Sequence, residues 1–193
     1  NAYYLSEGMT TGTDTNTFAP TVGRNGYSAY TGDGDYYLDP APPDFTLDGN
    51  FTISIWAKLA DNGNHVLVAG KSGNGNFNYD LYYGSNHTFG FYSDVSGDMP
   101  MEMGTRVNDH QWHLVTWTYD GTTMKGYLDG VLDASMPTTF TVSPTTTLDV
   151  GAVDQNGTLG MGGGNRFDDL RMYHRALSEG EIATMASHLV KTC

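Results

Sequence analysis

"QWHLVTWTYDGTTMKGYLDGVLDA", Gln111 to Ala134, reads as three strands joined by two tight turns. Val115, Trp117 and Tyr119 alternate with Leu114, Thr116 and Thr118, the period of two that sends successive side chains to opposite faces of a sheet. Asp120-Gly121 and Asp129-Gly130 open the turns, because glycine reaches positive φ without a Cβ clash and aspartate bonds its own nearby backbone. Strands at this spacing predict a meander inside a β sandwich.

The same period extends outward in both directions. In "FTISIWAKL" Phe51, Ile53, Ile55 and Ala57 share a core face, opposite Thr52, Ser54, Trp56 and Lys58. In "NFNYDLYYG" the expected core face is Phe77, Tyr79, Leu81 and Tyr83, with Asn78, Asp80 and Tyr82 outside; in "HTFGFYS" Phe89 and Phe91 point in and Thr88, Gly90 and Tyr92 out. Gly84-Ser85-Asn86 joins these two as a hairpin. Near the end, Ser178 and Glu181 form a capping box, and Leu177 and Ile182 a hydrophobic staple, so a helix is expected from about Ser178 to His188.

The fold class is therefore all-β, a single domain over 1–193 with one short C-terminal helix; sandwiches of 193 residues need no second core. The 25 glycines and 13 tyrosines, against nine lysines and arginines, suit turns and strands rather than helices. A formal net charge of -13 argues against nucleic acid and anionic membranes as partners, since both require clustered cations. Such acidity suits calcium, or simply keeps an extracellular protein soluble. No apolar run approaches the ~20 residues of a membrane helix, and the expectation is a secreted, mature or excised segment. The one cysteine, Cys193, has no partner within the chain and is a candidate for an intermolecular disulfide, a free thiol or a boundary. Sequons at Asn50, Asn86 and Asn156 are candidate glycosylation sites.

Four segments in order carry a resemblance: "YTGDGDYYLDP" from Tyr30, "FTLDGNFTISIWAKL" from Phe45, "WHLVTWTYDGTTMKGYLDGVL" from Trp112 and "FDDLRMYHRALSEGEI" from Phe167. Together they resemble laminin-G-like, concanavalin A-like jelly-roll domains. The resemblance implies two antiparallel sheets face to face and, in many members, calcium at the rim. It points to Asp35 and Asp168, with Asp33 third, as ligands. If Leu170 and Met172 face the core, Asp168 points inward, where a cation would offset the cost of an isolated carboxylate. The alternative is that Asp168 accepts backbone hydrogen bonds and Asp33 and Asp35 are solvated. Asp169 is expected to pair with Arg171 or Arg175.

The fold itself leaves function open, because lectins, binding modules, glycan-cleaving enzymes and adhesion domains share it. Aromatic rings grip the C–H faces of sugars, and amides and carboxylates grip their hydroxyls, so Trp56, Asn78, Asp80, Tyr82 and Tyr92 are candidate carbohydrate-binding residues on one concave sheet. The alternative places Trp56 beneath a covering loop, for which Ser93 to Gly104 is the candidate. No Glu-x-Asp-x-x-Glu strand is present, and Glu179 and Glu181 are explained by helix capping, so catalysis is not expected. A calcium-stabilised glycan-binding domain is the preferred expectation. The second is a structural or adhesive protein that self-associates or binds other extracellular proteins, and the third a polysaccharide-cleaving enzyme.

Overall fold

The computed structural model describes side chains at 45–60, 64–97, 100–151 and 165–187, and backbone strands also at 2–5, 21–23, 26–31, 36–38, 153–155 and 158–160. Among these the chain runs β1 (Ala2–Leu5), β2 (Thr21–Gly23), β3 (Gly26–Thr31), β4 (Tyr36–Leu38), β5 (Phe51–Lys58) and β6 (His65–Ser72). It continues through β7 (Phe77–Tyr83), β8 (Phe89–Tyr92), β9 (Met101–Glu102), β10 (His113–Tyr119), β11 (Thr123–Leu128) and β12 (Val131–Pro137). Then β13 (Thr145–Val150), β14 (Val153–Gln155), β15 (Thr158–Gly160) and β16 (Asn165–Tyr173) lead into α1 (Glu179–Ser187).

The strands form an eight-stranded sheet, β12-β11-β10-β5-β16-β3-β2 with β1 also on β16, a six-stranded sheet, β4-β13-β6-β7-β8-β9, and a separate β14-β15 pair. All the pairings are antiparallel, as in a jelly-roll sandwich. The inward faces meet in one core. Ile53, Ile55, Val115 and Trp117 from one sheet oppose Leu81, Phe91, Leu148 and Val150 from the other. Phe140, carried on the loop between β12 and β13, packs at 5.0 Å from the Phe51 ring and 5.7 Å from Phe91. Alternation thus gives the expected core, with one correction. Phe77 leaves it, because the β6–β7 register shifts between Gly70 and Lys71, and Phe77 packs instead with Val66 and Ala69.

Part of the outer face of the eight-stranded sheet is covered by the segment from Arg175 to Met185. Thr52 Oγ1 donates to Arg175 O at 2.9 Å and accepts from Leu177 N at 2.9 Å, which pins the helix approach to the middle of the sheet. The capping box forms as expected: Ser178 N donates to Glu181 Oε2 at 2.9 Å and Glu181 N to Ser178 Oγ at 3.3 Å. Leu177 and Ile182 then bury with Tyr127, flanked by Tyr173 and Met185. No helix among the described residues is long and apolar enough to cross a membrane.

Two expectations about loops change here. Ser93 to Gly104 is no cover, because within it β9 extends the six-stranded sheet while Met101 and Met103 sink into the core. Asp168 does not point inward. A bulge between Asp168 and Arg171, with Asp169 at φ 51°, puts Phe167, Leu170 and Met172 in the core and sets Asp168 opposite Trp56 on the outer side. Asp169 does meet Arg171, bidentately at 2.7 and 2.5 Å.

Candidate functional site

The outer face of the six-stranded sheet holds the densest set of polar and aromatic side chains from the candidate list. In register, Asp149 of β13 stands beside Ala69 of β6, Ala69 beside Asp80 of β7, and Asp80 beside Tyr92 of β8. One row along, Val66, Tyr82, Gly90 and Glu102 lie across β6 to β9. Asp80, Tyr82 and Tyr92 are thus brought together, as their spacing implied.

Gly90 decides how Tyr82 is presented. A Cβ at position 90 would stand 2.2 Å from Tyr82 Cζ, so the ring lies across the neighbouring strand over a residue with no side chain. The Tyr82 hydroxyl donates to Glu102 Oε1 at 3.4 Å, and Asn86 Nδ2 donates to Glu102 Oε2 at 2.8 Å, fixing the far end of the platform. Burial, and then the nearby Glu102 carboxylate, raise the Tyr82 hydroxyl to about 12, so it remains a neutral donor. Tyr92 donates to Asp94 Oδ1 at 2.5 Å, while Asp94 Oδ2 accepts from Phe77 N at 2.9 Å.

Asp80 is the chemically unusual member. Its Oδ1 is buried and has no hydrogen-bond partner among the described residues. Burial first, then the charges of Asp149 and Asp94, raise its carboxyl to about 7. Lys71, the ammonium nearby, sits 2.8 Å from Asp149 Oδ2.

Two other candidates do not join this face. Trp56 belongs to β5 in the opposite sheet and is 3 % exposed, so it cannot line the same surface. Asn78 is fully buried at the β6–β7 bulge, where its Nδ2 donates to Ser143 O at 2.8 Å and Thr145 Oγ1 at 2.9 Å, and its Oδ1 accepts from Ser143 N at 3.0 Å. All three bonds are spent on Ser143 and Thr145, at the entry to β13. Replacing Asn78 by Ala is expected to cost about 2–3 kcal/mol of stability, because buried partners lose their bonds, with glycan affinity unchanged. Denaturant melts paired with a sugar titration check this, and lost affinity at unchanged stability would contradict it.

Glu102, Gly90, Asp94, Lys71 and Asp149 were not anticipated. Gly90, a glycine inside an aromatic strand, was the one local signal, since such positions mark close approach by a neighbour. Asn50 and Asn86 are exposed, whereas Asn156, Asp33, Asp35 and Cys193 lie outside the described residues. Among the described residues no three His, Cys, Asp or Glu side chains converge to hold a metal. Of the three expected calcium ligands only Asp168 falls among the described residues. β3 ends at Thr31, which pairs with Asn165, three residues and about 10 Å along β16 from Asp168.

At another edge, His113 is clamped between Asp129 Oδ2 at 2.7 Å and Asp109 Oδ1 at 3.0 Å. Burial opposes its charge, but the two carboxylate bonds and charges outweigh it and raise the imidazole. A raised histidine contributes stability in full below its unfolded value of about 6.5 and loses it as pH rises through the folded value. Asp80, also raised, adds a loss of the same sign between about pH 4 and its folded value. Denaturant midpoints are expected to fall from pH 5.5 to 8.5, with a smaller decline in His113→Gln; an equal decline would exclude the clamp as a cause.

Two antiparallel sheets packed face to face define a concanavalin A-like β sandwich. The chain belongs to the family described as Laminin_G_3, of the concanavalin A-like lectin/glucanases superfamily, whose model matches residues 31–183. Its fold is shared by domain 4 of AbnA, a GH43 extracellular arabinanase from Geobacillus stearothermophilus, in complex with arabinotriose. That likeness has a TM-score of 0.74 at 19 % identity and covers 90 % of this chain and 83 % of that one. The CBM40 of the Ruminococcus gnavus IT-sialidase, bound to alpha2,3 sialyllactose, matches with TM-score 0.60 at 16 % identity over 74 % and 84 % of the two chains. A heptameric SAP-like pentraxin from Limulus polyphemus matches with TM-score 0.58 at 17 % identity over 78 % and 81 %. No curated protein matches the chain by sequence.

Proposed function

We propose that this chain is a secreted carbohydrate-binding domain that holds a glycan on the outer face of its six-stranded sheet, and that it binds without cleaving. The observation that carries this reading is the Tyr82 ring laid across Gly90 and flanked by Asp80, Tyr92 and Glu102. Such a ring offers a flat apolar surface to sugar C–H groups, and the neighbouring oxygens accept from hydroxyls. The structural likeness to domains bound to arabinotriose and sialyllactose supports the same reading. Cleavage would need two accessible carboxylates flanking the scissile bond, and Asp149, the nearest to Asp80 in register, is buried and held by Lys71.

Calcium belongs to the proposal only through Asp33 and Asp35 with Asp168, and serves stability rather than sugar contact. Glycan-array binding with calcium present tests the main reading. Retention of at least one glycan class, without product release, is the expected result; a blank array across neutral, amino and acidic sugars would overturn it. Calorimetry of chelated protein tests the metal separately, and no uptake at millimolar calcium would remove it.

Self-association is the second reading, favoured by Val131 and Leu132, 69 % and 43 % exposed on β12, the last strand of its sheet. A dimer or ladder that collapses with reductant would also implicate Cys193.

A further inference from the structure

The outer face of the six-stranded sheet changes from closed to open at β7. Val66, Ala69, Lys71 and Asp149 are buried on its β6 and β13 side, whereas Tyr82 and Tyr92 are half-buried and Glu102 is exposed on the other. Asp80 stands at this step. Between it and Asp149 the intervening strand contributes only Ala69, too small to separate the two carboxylates.

Four acids, Asp80, Asp94, Glu102 and Asp149, share the face with Lys71, whose ammonium lies against Asp149. Glu102 and Asp94 accept from Tyr82 and Tyr92. Asp80 Oδ1 remains buried with no hydrogen-bond partner among the described residues. A buried carboxylate oxygen in that condition is costly, and a ligand that supplies a cationic donor removes the cost. A metal ion is a poor candidate, because no three ligating side chains converge among the described residues. Tyr82 lies two residues from Asp80 on the same face, about 7 Å along the strand, within the span of one sugar ring and its substituent.

We infer that the glycan bound here is an amino sugar, its ring stacked on Tyr82 and its ammonium on Asp80. The assignment rests on the glycan-binding reading and adds the sugar class. Anionic sugars meet repulsion from the same carboxylates, and N-acetylation removes the charge that Asp80 would pair with. Because burial pushes the Asp80 carboxyl up to about 7, an ammonium docking at pH 6 displaces its proton, and binding releases up to about one proton.

Calorimetry with glucosamine oligomers, their N-acetylated counterparts and sialyllactose, at pH 6 in buffers of different ionisation heat, is the test. Glucosamine oligomers are expected to bind with proton release, the acetylated oligomers roughly tenfold or more weakly without it, and sialyllactose not at all. Asp80→Asn is expected to erase the preference and the proton release while keeping the acetylated oligomer's affinity. It is also expected to raise the melting temperature at pH 8, where the wild-type carboxylate is charged, so loss of binding there cannot be ascribed to unfolding. Equal or tighter binding of acetylated or acidic sugars overturns the amino-sugar assignment and leaves glycan binding standing. An unchanged preference in Asp80→Asn overturns the assignment of Asp80. No binding of any sugar overturns both readings.

Discussion

Tyr82→Ala is expected to weaken glycan binding by about 30-fold, some 2 kcal/mol, the size of effect seen when a central aromatic anchor is removed from a contact surface. The fold should survive, because Tyr82 is half-buried on the outer face and belongs to no core cluster. Gly90→Ala is the more discriminating variant. Its new Cβ would meet the Tyr82 ring 2.2 Å from Cζ, and the ring has solvent into which it can swing. Gly90→Ala should therefore lose nearly as much affinity as Tyr82→Ala while retaining the tyrosine and melting within a few degrees of wild type. Calorimetric titration together with thermal melts measures both. Full affinity in Gly90→Ala would show that the flat ring is not the platform.

Gly70→Ala should do the opposite. Position 70 has the same local geometry, with a Cβ that would stand 2.2 Å from Cζ of Tyr79, but this ring is on the inner face and fully buried. The Tyr79 hydroxyl donates to Phe45 O at 3.0 Å, and burial holds that hydroxyl protonated well above the usual tyrosine range. No open space receives a displaced ring, so the new methyl overpacks the core and breaks the buried bond. The expected cost is about 3 kcal/mol or more, from overpacking and one lost buried hydrogen bond. In a chain of this length that lowers the melting temperature by roughly 6–12 °C. Calorimetric melting checks it; a variant within about 2 °C of wild type would mean that the ring escapes at little cost. Two glycines beneath two tyrosines thus separate a site from a core by which face each ring occupies.

Much of this was legible along the chain. The strands around Ile53, Leu81, Phe91 and Trp117 alternate as their core faces require, because burial of one face imposes a period of two that adjacent residues record. The capping box at Ser178 and Glu181 was equally plain, since both partners lie within one helical turn. Asp80, Tyr82 and Tyr92 fell on one face because they belong to consecutive strands of one hairpin.

The candidates that moved did so at bulges or between sheets. One extra residue near Asp169 turned Asp168 outward, and a register shift near Lys71 took Asn78 off the sugar face and Phe77 out of the core. Neither bulge leaves a local mark, because it is the partner strand that defines which residue is extra. Trp56 has the period of an outward residue and occupies such a position, but it belongs to the other sheet and is buried there.

The all-β class, the hairpins, the capped helix and the resemblance to laminin-G-like domains are written in the chain, because all of them depend on neighbours a few residues apart or on ordered motifs. Folding was needed to show that Lys71 meets Asp149 across 78 residues of chain, that Tyr82 rests on Gly90, and that Asp80 stands where a closed face opens. Those facts depend on strand order and register, which arise only when two distant segments bury their faces together.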